Sequence, residues 1–400
     1  MRTASVLLVA CLFTSGFAVA CADDGAGGEG AGDAGGPQGG AFAEGGASAS
    51  GGNGDGGGSA GGNGAGGGAS GLVPVFVAVG DGGFTATSCD LGRTWTSHYF
   101  SAEMEDHSPW TAFGGIASGE GAFAIGLGWG FPGHVLHSKT GLDFVDLPEG
   151  SFLEDGTVIG YDSGTAGVVH DGTSFVLFGN PVFRSDDALT WTATDISLPP
   201  GSHQMRQVRG FQSQHLIVAS LEKQYDDGSS QPIGHFLAVS ADGGTTWSQG
   251  TGYDTQCSEP IQHVGDIEMV GDVLLVGAKR LCRSTDAGAT WTSYDSPTGG
   301  DIGDIFSDGT AFYATPNQYA SSGVVLRSED GISWSELSDV GSPITFGAYV
   351  GGTMVTAPKG GLPKFHYSDD GETWSEGELA SDLANVTLRE IGVGMVAHCP

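Results

Sequence analysis

Aromatic and acidic side chains that could recognise a ligand are concentrated in three short segments of this chain. One segment ends at residue 110, one lies around residue 130 and one around residue 225. An exposed ring beside a carboxylate can stack on a sugar or anchor a peptide. The candidate ligand-binding residues are therefore Glu103, Glu105, His107, Trp110, Trp129, Phe131, Tyr225 and Asp226. The alternative is that both tryptophans fill gaps in the protein interior.

Other chemistries need residue patterns that this sequence does not single out. Glycoside hydrolysis needs two carboxylates about 5–9 Å apart, one of them with a raised pKa, and a chain this rich in acids offers many pairs. His98, His107 and His134 occur without the His-x-His or His-Glu-x-x-His spacing of metal sites. Asp226 and Asp227 could contribute oxygens to a Ca²⁺ site, but solvated loop acids explain them better. We therefore assign no catalytic residue and expect no metal ion and no cofactor.

A short motif that recurs seven times defines the elements that must position these residues. Its form is Ser-x-Asp-x-Gly-x-Thr-Trp, and it is complete at Ser240–Trp247. Spacings of 40 to 55 residues between copies are typical of an array of similar structural units. The copies begin at Ser88, Ser138, Ser185, Ser240, Ser284, Ser328 and Ser368.

Each residue of the motif suits a tight turn between two strands. The aspartate can accept hydrogen bonds from the backbone of its own turn, and the glycine can adopt a left-handed conformation. The threonine then begins the next strand, and the tryptophan is buried in a sheet. The second copy lacks the aspartate and has Phe144 in the tryptophan position, and the sixth copy is one residue shorter than the first. The predicted structural aspartates are Asp90, Asp187, Asp242, Asp286, Asp330 and Asp370.

The motif resembles the Asp-box, also called the bacterial neuraminidase repeat, and residues 72–400 resemble Asp-box β-propellers. Phe76–Gly83, followed by such a turn, is also similar to repeats of photosystem II assembly factors. The first resemblance implies an all-β, seven-bladed propeller of four-stranded antiparallel blades with Asp-box turns. The second implies a non-catalytic propeller that binds a protein partner.

The best-known enzymes with this repeat are sialidases, and the resemblance implies what a sialidase would need. Three arginines would hold a substrate carboxylate, the first within a Phe/Tyr-Arg-Ile-Pro motif, beside a Tyr nucleophile and an Asp acid/base. That motif does not occur here, and no arginine lies between Arg2 and Arg93. Arg184, Arg283 and Arg327 each precede the serine of a repeat, which indicates a structural role. The chain is thus sialidase-like without the catalytic motif, and if it is an enzyme the resemblance implies an exo-glycosidase.

The apolar segments of each repeat predict four antiparallel strands per blade. Seven turns predict seven blades, with six or eight as the alternatives. The chain enters mid-blade at Val73–Val79, and Val386–Val393 matches an inner strand, so the C-terminal strand is expected to complete the first blade and leave no open edge. Met395–His398 is predicted as a further strand.

Four arginines have no role within the repeat. Arg206 and Arg389 share a predicted inner-strand register with acids of other blades, so we predict ion pairs between blades. The arginines that remain unassigned are Arg206, Arg209, Arg280 and Arg389, and the acids in register are Asp266, Asp304 and Glu390.

The first 71 residues carry export signals. Arg2 and the apolar run Val6–Ala20 predict a signal peptide over residues 1–20. Ala18-Val19-Ala20-Cys21 resembles a lipobox, which implies lipidation of Cys21, and an ordinary signal-peptidase site is the alternative. Residues 22–71 contain 24 glycines and almost no branched apolar side chains, so residues 21–71 are predicted to form a disordered linker. We expect an exported protein of the bacterial cell envelope, either an outer-membrane lipoprotein or a secreted one.

The remaining four cysteines support export. Three pairings of Cys89, Cys257, Cys282 and Cys399 are possible, and free thiols are the alternative. We favour Cys257–Cys282, within one repeat, and Cys89–Cys399, which would join the two ends of the array.

Charge limits the partners. From residue 72 onward, 41 acidic side chains stand against 13 basic ones, a net charge of −28, which disfavours nucleic acid and anionic lipid. The sequence therefore predicts a monomeric, non-catalytic binding module or scaffold for a glycan or an extracellular protein, held to the membrane only by its lipid. The alternative is a sialidase-like or other glycoside hydrolase acting on extracellular glycans.

Overall fold

A computed structural model of the chain describes residues 71–99, 115–127, 134–147, 152–154, 157–158, 162–196, 202–223, 235–253, 257, 266–317, 323–379 and 386–399. These residues form strands and two short 3₁₀ helices, Asp81–Gly83 and Gln212–Gln214. No helix in this part of the chain is long and apolar enough to cross a membrane. The predicted signal peptide, Cys21 and all but the last residue of the predicted linker lie outside the described residues.

Each of seven sheets contains four antiparallel strands that form one blade, and short additional strands extend two of the sheets to six strands. Blade 1 contains, from first to fourth strand, Val386–Val396, Val73–Gly80, Phe84–Ser88 and Thr94–Tyr99. Blade 2 contains Ile116–Gly119, Ala122–Leu127, His134–Ser138 and Val145–Asp146. Blade 3 contains Asp162–His170, Phe175–Asn180, Val182–Ser185 and Trp191–Thr194.

The other four blades follow the same order without interruption. Blade 4 contains Ser202–Phe211, Leu216–Lys223, His235–Ser240 and Ser248–Gln249. Blade 5 contains Asp266–Val270, Val273–Gly277, Arg280–Ser284 and Thr292–Asp295. Blade 6 contains Ile302–Ser307, Phe312–Pro316, Val324–Ser328 and Ser335–Asp339. Blade 7 contains Phe346–Val350, Thr353–Ala357, His366–Ser368 and Ser375–Glu376. Four short strands lie outside this four-strand order: Phe152–Glu154, Thr157–Val158, Gly360–Gly361 and Glu378–Leu379.

The first strands of the seven blades form a closed ring. Each first strand contacts the first strand of the next blade, and the first strand of blade 7 contacts that of blade 1. One apolar core lies between each pair of neighbouring blades, so the blades pack face to face around the ring. This arrangement is the predicted seven-bladed β-propeller.

Blade 1 closes the ring as predicted, because it combines the two ends of the array. Val386–Val396 pairs antiparallel with Val73–Gly80, from Val73 opposite Val396 to Gly80 opposite Leu388. The predicted further strand at Met395–His398 does not exist, because Met395 and Val396 complete the first strand itself. Both favoured disulfides are present, with Cα atoms 5.8 Å apart in Cys89–Cys399 and 5.9 Å apart in Cys257–Cys282.

The repeated motif joins the third and fourth strands of every blade, and we call it the repeat turn. In the eight-residue turns of blades 1, 4 and 5, the aspartate accepts the amide and the hydroxyl of the same threonine, as Asp286 does from Thr290 at 2.8 and 2.6 Å. In the seven-residue turns of blades 3, 6 and 7, it accepts two consecutive amides, as Asp330 does from Ile332 and Ser333 at 2.8 Å. The short form is therefore not peculiar to the sixth copy.

The second copy keeps the turn without its aspartate. The hydroxyl of Thr140 accepts the amides of Leu142 and Asp143 at 3.1 and 3.3 Å, in the place of the missing carboxylate. Phe144 is buried where the other copies have tryptophan. A hydroxyl thus replaces the carboxylate, and the blade retains its shape.

The tryptophans of the repeat pack between blades. Trp95, for example, is 1% exposed and stacks on Phe365 of blade 7 with ring centroids 3.8 Å apart. Trp191 and Trp291 are also buried, whereas Trp247, Trp334 and Trp374 are only partly buried. The repeat therefore both closes its own turn and supplies a large ring to a neighbouring core.

The antiparallel order of the strands separates two faces. The repeat turns and the turns between first and second strands lie on one face, which we call the lower face. The connections between second and third strands, and between successive blades, leave from the opposite, upper face. On the lower face Arg93 bonds to Asp369 of blade 7 at 2.8 Å, and Arg184 donates to the Gly243 carbonyl of blade 4 at 2.7 Å. Arg184 thus has the structural role that the sequence indicates.

Candidate functional site

The eight candidate ligand-binding residues lie outside the described part of the chain. The strands on either side of them are described, and they end or begin at the upper face: Tyr99 and Ile116, Leu127 and His134, Lys223 and His235. The three segments therefore leave from and return to the same face, opposite the repeat turns. Their role in binding stays a prediction.

A second polar cluster, which we call the inner network, lies where first strands meet around the ring. It consists of Arg209 of blade 4, Asp266 of blade 5, Asp304 of blade 6 and Glu390 of blade 1. Arg209 Nε lies 2.9 Å from Asp266 Oδ1, and Arg209 Nη1 lies 3.1 Å from Glu390 Oε1. Asp304 shares a hydrogen bond with Asp266. All three acidic residues are more than nine-tenths buried.

The same carboxylates also bind backbone amides of the following blade. Asp304 Oδ2 accepts the amide of Gly347 of blade 7 at 2.8 Å, and Glu390 Oε2 accepts the amide of Ile116 of blade 2 at 3.3 Å. With Arg209, these contacts connect six of the seven first strands. The inner network therefore stabilises the ring as a whole.

Burial controls the ionisation of the inner network. It raises the pKa of Asp304 well above the usual range, and repulsion from Asp266 adds to the shift, while the Gly347 amide and Arg209 oppose it. Burial also raises the pKa of Glu390, against the opposing effect of Arg209. Burial would lower the pKa of Arg209, but Asp266 and Glu390 raise it by more, so Arg209 stays charged. One permanent cation thus faces three acids, two of which hold their protons to higher pH than exposed acids do.

Glu268 extends this acidic region along blade 5. It lies two residues after Asp266, on the same face of the strand, and is 0% exposed. Its Oε1 accepts the amide of Met269 at 2.8 Å, and the side chain of Ser307 also bonds to the carboxylate. Burial raises its pKa well above the usual range.

Ion pairs between blades exist as the sequence predicts, but the prediction for Arg389 is wrong. Arg209 pairs with Asp266 and Glu390, whereas Arg389 donates to both oxygens of Asp81 in its own blade at 2.8 Å. The side chain of Arg206 lies outside the described residues. Arg209 is not in the register of the acids, but its long side chain reaches them from two residues further along the strand. Its position on the same strand face as that register was the available signal.

A third cluster lies on the upper face between blades 7 and 1, and we call it the rim cluster. It consists of Asp81, Lys359 and Arg389. Asp81 and Lys359 belong to turns between second and third strands, and Arg389 lies near the start of the first strand of blade 1. The side chains of Arg389 and Asp81 are 23% and 29% exposed, so solvent reaches this cluster, unlike the inner network.

Within the described ranges, no group of three or more His, Cys, Asp or Glu side chains is arranged to hold a metal ion. The acids of segments 103–106 and 226–227 lie outside these ranges. The described carboxylates of the inner network are instead partnered by a guanidinium, by each other and by backbone amides.

The closed ring of four-stranded blades places this chain among seven-bladed β-propellers. No protein-family profile and no curated protein sequence matches it. Among solved structures, it is similar to YCF48 bound to a D1 peptide, with 16% identity, a TM-score of 0.47 and coverage of 80% of this chain and 89% of the other. YCF48 from Cyanidioschyzon merolae gives 15% identity, a TM-score of 0.44 and coverage of 80% and 91%.

A glycoside hydrolase is also among the similar structures. The GH74 enzyme of Niastella koreensis is 16% identical, with a TM-score of 0.29, and the match covers 76% of this chain and 53% of the enzyme. This chain therefore corresponds to about half of that enzyme. At these identities and TM-scores the comparisons assign neither a family nor an activity to the chain.

Proposed function

We propose that the propeller is a non-catalytic binding module and that its upper face binds an extracellular protein or glycan. One observation carries the proposal: the three segments with candidate aromatic and acidic residues all connect strand ends on that face. Loops that leave one side of a rigid ring are a common arrangement for binding sites, because the scaffold positions them while their sequences vary.

The rest of the ring supports this division of roles. The lower face is occupied by the repeat turns, whose aspartates and arginines bond to the backbone. The interior is occupied by the inner network, whose acids are buried and partnered. Both regions hold the blades together, which leaves the upper face for recognition.

We also propose that the protein is displayed on the bacterial cell surface and belongs to the Asp-box family. Cys21 would carry the lipid, and residues 21–71 would form the tether. The hydrogen bonds of the repeat turns support the family proposal, since the serine, aspartate, glycine and threonine of the motif each take part in one, as in the turn Ser284–Trp291. Metabolic labelling with a fatty-acid analogue tests the anchor, because the label should be absent from a Cys21→Ser variant.

A binding screen tests the main proposal. The exported protein with Cys21→Ser, recovered in soluble form, would be applied to a glycan array and to a peptide array. We expect a ligand whose binding is lost in the double variant Trp110→Ala/Trp129→Ala. The control is Ile332→Ala, which removes an exposed apolar side chain, 42% exposed, from the lower face. Equal loss in the control, or no loss in the double variant, would place the site elsewhere.

Glycoside hydrolysis is the second candidate, and one observation favours it. Asp266 and Asp304 share a hydrogen bond, and Asp304 has the raised pKa that a general acid needs. Both residues are buried, at 5% and 7% exposure, which places this candidate second. Fluorogenic glycosides, a sialoside included, test it: turnover abolished by Asp304→Asn but not by Asp301→Asn, a neighbouring exposed acid, would establish the hydrolase and overturn the main proposal.

A further inference from the structure

We propose that Lys359 of the rim cluster, beside the Arg389–Asp81 pair, forms a binding site for a carboxylate of a polypeptide partner. The inference rests on the proposed function, because it names the chemistry of the partner that the upper face would bind.

The fold holds the two cations next to each other. The carbonyl of Lys359 accepts the amide of Leu388 at 2.6 Å. The following strand Gly360–Gly361 pairs with Val386 and Thr387. The turn of blade 7 is thereby fixed to the first strand of blade 1, directly beside Arg389. The site is preformed, so a ligand would not have to order it.

Among the described residues, the two cations of the rim cluster face one carboxylate, that of Asp81. Arg389 is neutralised by Asp81, through two hydrogen bonds of 2.8 Å. Lys359 is half-buried and has no ion-pair partner within 4 Å among the described residues. Burial lowers the pKa of Lys359, and repulsion from Arg389 lowers it further, while Asp81 raises it by less. An incoming carboxylate would supply the missing counter-charge and a charge-assisted hydrogen bond.

The surroundings favour a polypeptide over a sugar. Leu362, in the same turn, is 57% exposed, one of the most exposed large apolar side chains among the described residues. The backbone at Gly360 and Gly361 is exposed, and a side chain added at either glycine would meet open space. An extended peptide could place an apolar side chain on Leu362 and its carboxylate on Lys359. The turn 358–364 contains no aromatic residue on which a sugar ring could stack.

A peptide array can test the site directly. Random octapeptides ending in leucine would be presented in two forms, with a free C-terminal carboxylate and with a carboxamide, to the exported protein with Cys21→Ser. Oligogalacturonate and sialyllactose would serve as carboxylate-bearing sugars. We expect peptides that bind only as carboxylates and that lose about tenfold in affinity with Lys359→Gln, the loss of one charge-assisted hydrogen bond.

Two further variants separate recognition from folding. Lys364→Gln is the matched control, because Lys364 lies five residues away, is 52% exposed and sits near Glu376 at 3.8 Å, so affinity should not change. Asp81→Asn removes the competing carboxylate and should increase affinity about threefold, a gain that a merely structural role would not produce.

The outcomes are distinct for the two proposals. Carboxamides that bind as well as carboxylates, or an unchanged affinity with Lys359→Gln, would overturn the rim site. Binding that requires Trp110 and Trp129 but not Lys359 would also overturn it and would leave the proposed function intact. If sugars bind and peptides do not, and sugar binding is lost with Lys359→Gln, the polypeptide assignment is overturned. A folded protein that binds nothing on either array would overturn both proposals.

Discussion

Replacing Arg209 with methionine should destabilise the propeller strongly and in a pH-dependent way. Methionine keeps much of the volume but removes the cation that faces Asp266 and Glu390 at 2.9 and 3.1 Å. The side chain of Arg209 is only 12% exposed, so water cannot replace the lost charge. Breaking a buried ion pair by removing one partner costs about 3–5 kcal/mol.

Protonation limits this cost. Asp304 and Glu390 already have raised pKa values, and without Arg209 these values rise further, since Arg209 opposes the shift in both residues. Lowering the pH therefore protonates the acids and relieves their repulsion. We expect a loss of about 3 kcal/mol at pH 7.5, the low end of the range, falling to about 1–2 kcal/mol at pH 5.

The assay is urea unfolding of the disulfide-intact protein at both pH values, followed by tryptophan fluorescence. A loss of 3 kcal/mol should also lower the melting temperature by about 4 °C, from an unfolding entropy of roughly 2.1 cal/mol/K per residue over residues 72–400. Arg280→Met is the control, because Arg280 and Asp295 form an exposed pair with side chains 43% and 100% accessible, and such pairs contribute about 0–1 kcal/mol. An Arg209→Met loss no larger than that of the control, or equal at both pH values, would refute the reasoning.

Three further predictions concern the turns, the ring closure and the pH profile. Asp286→Asn should lower the free energy of unfolding, measured in urea, by about 1–2 kcal/mol, because it weakens two hydrogen bonds from Thr290. The control Asp272→Asn, in an exposed turn of the same blade, should lower it by less than about 0.5 kcal/mol. Cys399→Ser should lower the melting temperature more than Cys257→Ser, because the Cys89–Cys399 bond closes a separation of 310 residues and the Cys257–Cys282 bond one of 25. The corresponding losses of chain entropy in the unfolded state are about 5–6 and about 3–4 kcal/mol. Equal shifts in melting temperature would contradict this. Stability should be greatest in mildly acidic solution. The repeat aspartates have lowered pKa values, about 2 for Asp370, so their contribution is lost as the pH falls from about 4 through those values. The buried acids of the inner network have raised pKa values, so their contribution is lost as the pH rises above about 4. Melting temperatures between pH 2 and pH 9 measure the balance, and a steady rise up to pH 9 would contradict it.

The repeat turns show what local chemistry makes visible in a sequence. In the six turns that have the aspartate, the serine and the aspartate each lie within four residues of the amides that they bind. Such bonds form whatever the rest of the chain does, so residue type and spacing were sufficient to predict them. The left-handed positions were less visible, because Leu91, Ala188 and Ala287 directly follow the aspartates of their turns and adopt positive φ angles although they are not glycines. The bonds on either side of these residues hold them in that conformation.

The disulfides and the closing strand were predictable for a different reason. A ring of similar blades requires its two ends to meet, which placed Val386–Val393 beside Val73–Val79 and brought Cys89 near Cys399. That inference used the number and phase of the repeats and needed no knowledge of side-chain contacts.

By itself the sequence determined the four-stranded unit, its sevenfold repetition and the closure of the ring, because each depends on hydrogen bonds or strand pairings that recur at fixed spacing. Only the tertiary structure decided which charges meet. Arg209 pairs with acids of two other blades, and Arg389 pairs with Asp81 although 308 residues separate them. These partners are set by the curvature of the ring, by the reach of each side chain and by the burial that makes an unpaired charge costly. None of these quantities follows from the order of the residues alone.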